Sequence, residues 1–153
     1  MSLRYPLIVS ALAVGLGACA VTPAPPTADA ASPHPLTAQG AWKLDVATAA
    51  DGTTLIAAGS NYRLQFVDDR VSVLGGCNRM SGGYAVSGGT LQVQAMASTR
   101  MACVDQTLMQ QDTTLARLLE APLSMTLLET WPEQLRLKTP TGETLAFTAM
   151  PLE

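Results

Sequence analysis

Side chains able to do chemistry gather in two stretches, Gly75-Gly76-Cys77-Asn78-Arg79-Met80-Ser81-Gly82-Gly83-Tyr84 and Ser98-Thr99-Arg100-Met101-Ala102-Cys103. Two thiols, a carboxamide and two guanidinium groups set among glycines suit four tasks: nucleophilic catalysis, metal binding, phosphate binding or crosslinking. A thiolate or serine nucleophile needs a neighbouring base. The only histidine is His34, which would have to fold back from outside the expected domain. A structural zinc site takes four ligands, usually Cys or His, and beyond Cys19 the chain offers two cysteines. The glycine-rich stretch lacks the GxxxxGK[ST] order of a phosphate-cradling loop. Asp68-Asp69 reads as a turn pair with no partner carboxylate, and the seven methionines form no repeated metal-binding motif. No catalytic residue, metal or cofactor is therefore expected.

The third cysteine has a different setting. Arg4 precedes an apolar run from Pro6 to Ala18, too short to span a bilayer comfortably but suited to a secretory signal. Its end, Leu16-Gly17-Ala18-Cys19, resembles the bacterial lipobox, which implies lipidation of Cys19; the plainer reading is a signal peptide with an incidental cysteine. Several acyl chains hold a protein firmly at a membrane where one does not. Residues 1–18 are thus expected to be a lipoprotein signal peptide and 19–37 a lipidated cysteine with a Pro/Ala-rich tether. Ala20 in place of aspartate suggests release to the outer membrane, facing the periplasm. With Cys19 taken by lipid, Cys77 and Cys103 remain in an oxidising compartment, where disulfides persist. A Cys77–Cys103 disulfide is the expectation. The alternatives are two buried free thiols, or a redox-active pair, which lacks the usual CxxC motif or adjacent histidine.

The elements that must position these residues are legible from periodicity. A chain of 153 residues with 48% hydrophobic and 14% charged residues is enough for one packed domain, here expected over 38–153. Its net charge of −3, without a basic cluster, excludes the electrostatic footprint of a nucleic-acid binder. Trp42, Leu44 and Val46 alternate with polar residues, as do Tyr62, Leu64 and Phe66. Asp68-Asp69 then turns the chain into Val71 and Val73, and Gly88-Gly89 separates Tyr84-Ala85-Val86 from Leu91-Gln92-Val93-Gln94. Asp105 is placed to cap a helix running to about Glu120, with Leu108, Leu115, Leu118 and Leu119 on one face and Pro122 beyond its end. Alternation resumes at Leu123, Met125 and Leu127, then at Leu135 and Leu137, then at Leu145 and Phe147. The fold class is α+β: an antiparallel curled sheet or small β-barrel with one inserted helix. Trp42, Leu64, Phe66, Val71, Val93, Leu115, Leu119, Leu135 and Phe147 are the expected core.

The two blocks at this spacing, with the Trp42-x-Leu44 opening strand and the Leu145-x-Phe147 ending, resemble the META domain of HslJ-type heat-shock lipoproteins. The resemblance runs from about residue 38 to 150. It implies a small β-barrel or half-barrel with a helix, a setting of envelope stress or novobiocin resistance, and no established catalytic activity. Members of the family commonly carry a glutamate on the helix where this chain has Asp112, which keeps the charge and shortens its reach.

The expected function is a non-enzymatic envelope lipoprotein that supports stress or antibiotic tolerance by binding an envelope component. Its expected partners are the membrane, through the lipid anchor, and an envelope protein or small apolar ligand. Asn78, Arg79, Ser81, Tyr84 and Arg100 form the candidate binding patch. An inhibitor resembling the lysozyme-inhibitor lipoproteins and a carrier of an apolar ligand inside the barrel are the competing readings. The glycines answer a structural need as well, since bulges and tight corners in a curved sheet call for them. The first stretch is accordingly expected to be mainly a clasp.

Overall fold

The computed structural model describes residues 34–150; the signal-peptide and lipidation expectations, Cys19 included, lie outside the described residues. Alternation becomes strand throughout. In chain order the strands are β1 (Ala41–Thr48), β2 (Thr54–Ile56), β3 (Arg63–Val67), β4 (Arg70–Leu74), β5 (Met80–Ser87) and β6 (Thr90–Ser98). Helix α1 (Gln106–Glu120) follows, then β7 (Leu123–Leu128), β8 (Gln134–Lys138) and β9 (Thr144–Met150). In β3, Leu64 and Phe66 are buried while Arg63, Gln65 and Val67 face out, the period-two pattern of a sheet with one wet face.

Turn chemistry sets the connections. Gly88 and Gly89 adopt φ of 56° and 76°, the pair of positive values that a two-residue type I′ hairpin requires. At the β3–β4 turn Asp68 takes φ of 52°, a region aspartate tolerates better than most residues. All nine strands form one antiparallel sheet, and it curls into a ring because β9 pairs with β1 over seven residue pairs. The ring is uneven. β2 and β3 share one edge of β1, and β6 meets β7 through only Thr90–Ser124 and Leu91–Leu123.

The Asp105 carboxylate starts α1 by accepting from the N–H groups of Thr107 (2.9 Å) and Leu108 (3.3 Å), a cap worth about 1 kcal/mol. The helix buries Leu115, Leu118 and Leu119 into the core. Each leucine so buried contributes about 1.5–3 kcal/mol. Trp42, Leu64, Phe66, Val71, Val93, Leu135 and Phe147 join them, all buried as expected.

Four local features depart from the sequence reading. The β1 register shifts between Leu44 and Val46, so that Ala47 is buried and Val46 only half-buried. The short strand β2 has too few residues for a periodic signal. The expected tether does not extend to residue 37: Leu36 is fully buried, and its carbonyl accepts from the Trp42 indole at 3.1 Å. Finally, Met80 to Gly83 are not loop. They begin β5, with Met80 and Gly82 buried.

The β8–β9 turn is tied to the helix through Glu143. Its carboxylate accepts from the Thr139 and Thr141 hydroxyls and faces Arg117 of α1 at 3.3 Å. The two threonine hydroxyls, then its own backbone N–H, hold its pKa down to about 2, with Arg117 adding to them. A depressed carboxylate contributes stability above its unfolded value, and this is lost as pH falls through the folded one. The wild-type domain is therefore expected to lose stability between about pH 4.5 and 2 more steeply than Glu143→Gln. Urea midpoints taken at several pH values check this, and parallel profiles would contradict it.

Candidate functional site

Asp112 is the residue around which the two chemistry-bearing stretches assemble. It lies on α1 between Leu108 and Leu115, on the stripe that faces the domain, and is only 4% exposed. A buried carboxylate is costly unless hydrogen bonds replace its water, and three donors do so. The Tyr62 hydroxyl donates to Oδ1 at 2.6 Å, the Asn78 backbone N–H to Oδ2 at 2.7 Å, and Asn78 Nδ2 to Oδ2 at 3.2 Å. Asp112 has no salt-bridge partner among the described residues. Burial pushes the Tyr62 phenol above its ordinary pKa, and the adjacent carboxylate raises it further. Tyr62 thus remains protonated, as a donor must.

Asn78 passes the link onward. Its Oδ1 accepts from the Met101 N–H at 2.8 Å and from the Thr99 hydroxyl at 3.0 Å. Thr99 Oγ1 in turn accepts from the Arg79 N–H at 3.1 Å, while the Thr99 N–H donates to the Arg79 carbonyl at 3.0 Å. Cys77 and Cys103 form a disulfide with an S–S distance of 2.08 Å and a Cα–Cα distance of 6.0 Å. The two stretches are therefore one unit, joined covalently at the cysteines and by hydrogen bonds at Asn78.

Close approach explains the glycines before the cysteine. A Cβ on Gly76 would fall 1.9 Å from Asp112 Oδ1, and one on Gly75 would fall 1.9 Å from the Asn61 carbonyl oxygen. Gly75 also needs φ of 96°. The absence of side chains here lets the helix carboxylate reach the Asn78 backbone.

The expected patch is only partly brought together. Asn78 and Arg100 line a groove of about 550 Å³ between the end of β6 and the Met109–Glu120 side of α1. Arg79 and Ser81 line a second groove of about 420 Å³, and Met80, Ser98 and Thr99 border both. Tyr84 lines neither. Its ring packs edge-on against Phe66 with centroids 4.9 Å apart, and its hydroxyl donates to the Asp68 carbonyl at 3.1 Å. Ser81 accepts from Arg70 at 3.2 Å. Asn78 lends the patch little, because both ends of its side chain bond internally.

Sequence reasoning did not place Tyr62 or Asp112 in this unit, nor Met109, Thr113, Ala116 and Arg117 in the groove wall. One signal was available: Asp112 interrupts the stripe Leu108–Leu115–Leu119, where a charged residue must find partners inside. His34 accepts from the Leu36 N–H at 3.3 Å, closing a turn at the start of the described chain. Among the described residues no three or more His, Cys, Asp or Glu side chains converge on a metal position, and no helix is long and apolar enough to cross a membrane.

Comparison with known proteins agrees with this architecture. A protein from Burkholderia xenovorans, solved by NMR, matches with 26% identity and a TM-score of 0.66, over 84% of this chain and 99% of that one. A second NMR structure matches with 25% identity and a TM-score of 0.54, over 72% of this chain and 89% of that one. No curated protein matches the sequence. The META domain family profile matches residues 34–151, a span that takes in the disulfide, the Asp112 network and both grooves. The chain belongs to the META domain family.

Proposed function

We propose that this protein is a non-enzymatic, HslJ-like lipoprotein of the cell envelope that supports stress or antibiotic tolerance by binding an envelope component at the clasp. One observation carries the reading. The polar groups of the clasp are spent internally on Asp112 and Asn78, while Arg79 and Arg100 are left exposed beside the grooves with no ion-pair partner among the described residues. An active site keeps a base or nucleophile free for substrate. A recognition surface instead needs fixed backbone and available charge, which is the arrangement here. The disulfide suits an oxidising compartment, and lipidation at Cys19 would hold the domain at the outer membrane. The carrier reading placed an apolar ligand inside the barrel, but Trp42, Tyr62, Phe147 and a set of leucines occupy that interior. Binding outside the ring is favoured.

Photocrosslinking in cells tests the proposal. A photoreactive residue replacing Thr113, exposed in the wall of the Arg100 groove, should capture a discrete envelope component in the full chain, and capture should fall when Cys19→Ala removes the anchor. A control probe replacing Lys138 should not capture it. Equal capture at both positions, or none at Thr113, would overturn the proposal.

A further inference from the structure

The first groove runs beside an unfinished edge of the sheet. β6 pairs with β5 along its length, but β7 covers its other edge only at Thr90 and Leu91. The direction of the open backbone groups follows from neighbouring bonds. The Thr99 N–H donates to the Arg79 carbonyl and the Arg79 N–H to the Thr99 hydroxyl, so the main-chain groups of Thr99 and Arg79 face each other across the seam. The adjacent Ser98–Met80 pair must then turn its backbone groups away from the β5–β6 seam. Ser98 N–H and C=O thus point towards the open side, and no backbone partner meets them among the described residues. Opposite stands the ridge of α1 formed by Met109, Thr113, Ala116 and Glu120. Spaced three or four residues apart, these lie in one row about 16 Å long.

Resting on the binding role proposed above, we infer that this groove takes an extended segment of a partner polypeptide as an added antiparallel strand on β6, with an acidic side chain meeting Arg100. An unpaired strand edge offers main-chain donors and acceptors that a polypeptide satisfies and a lipid chain does not. The charge follows from Arg100, which lines the groove and has no ion-pair partner among the described residues. A second copy of the chain fits less well. Ala95 takes φ of 45°, and the β5–β6 register shifts beside it. Such a bulge blunts an edge against long strand-to-strand pairing, while leaving Met96 to Ser98 open to a short segment.

The test uses the full chain and a six-residue probe, acetyl-Asp-Val-Thr-Val-Thr-Val-amide, with a version carrying Lys in place of Asp. In an antiparallel addition the probe's N-terminal Asp lies beside Arg100. NMR amide exchange should show new protection at Ser98 with the acidic probe. Arg100→Glu should weaken that probe about tenfold and favour the Lys version, as reversing an exposed charge pair implies. Ser98→Pro removes the outward N–H while sparing the β5 ladder and should also weaken binding about tenfold. No protection at β6 with millimolar probe, or equal binding of both probes to wild type and Arg100→Glu, would overturn the inference. Protection that rises with protein concentration alone would overturn it in favour of pairing between copies. If the Thr113 photoprobe still captures its envelope component in those cases, only strand addition fails and the binding role stands.

Discussion

Asp112→Ala is expected to lower unfolding stability by about 3 kcal/mol, because it takes the acceptor from three donors, one buried and two part-buried. These are the Tyr62 hydroxyl and the Asn78 backbone and side-chain N–H groups. Asn78 is also the group that positions Met101 and Thr99, so the loss should spread to the second stretch. Two milder variants separate the causes. Tyr62→Phe removes the bond to Asp112 and the longer contact with the Leu108 carbonyl and should cost about 1 kcal/mol. Asp112→Glu keeps the charge but adds a methylene in a space where even a Cβ on Gly76 would collide, so it should cost about 1–3 kcal/mol as overpacking. Urea denaturation with a common m-value provides the measurement. An Asp112→Ala loss below about 1 kcal/mol would mean that water replaces the carboxylate freely, contrary to its burial.

Opening the disulfide is the second large expected effect. Cys77 and Cys103 are 26 residues apart, and closing a loop of that size removes about 3.5 kcal/mol of unfolded-state entropy. For a domain of this size that corresponds to a fall in Tm on the order of 10–15 °C. Reduced wild type and the Cys103→Ser variant should therefore melt together, well below the oxidised protein. The disulfide and the Asp112 network hold the same backbone at Cys77-Asn78, so the two losses should not add. In the reduced protein Asp112→Ala should cost clearly less than in the oxidised one. Indifference of Tm to reductant would contradict the role of the clasp.

Much of the fold was legible because local chemistry agreed with it. Asp105, Leu115, Leu119 and Pro122 mark both ends and the inner face of α1, and Gly88-Gly89 and Asp68-Asp69 mark the hairpins. What escaped had no local signature. β2 is three residues long, and the bulge in β1 reverses alternation through a partner strand about a hundred residues away. Leu36 looked like tether because its neighbours are polar or proline, yet a single leucine with a bonded carbonyl suffices to dock the turn. The cysteine pairing could be reached by counting, with its alternatives open, and the disulfide is present. The Asp112 hub was not reached. A lone carboxylate on a helix names no partner, and the structure brings Asp112 to the Asn78 backbone past the bare Gly76. The patch shows the limit most clearly: Tyr84 sits close to Ser81 in sequence, but its ring turns inward to Phe66.

GGCNRMS and STRMAC form one rigid unit built on Asp112, and amide hydrogen exchange at Asn78 and Met101 is the sharpest check of that rigidity. Asn78 lies between strands and Met101 between β6 and α1, where amides ordinarily exchange fast. Their N–H groups donate to Asp112 Oδ2 at 2.7 Å and to Asn78 Oδ1 at 2.8 Å. Both amides should exchange as slowly as those of the core strands in the oxidised protein, and both should become fast together in Asp112→Ala. Exchange of both at unprotected loop rates in the wild type would mean that the two stretches are not held as one unit.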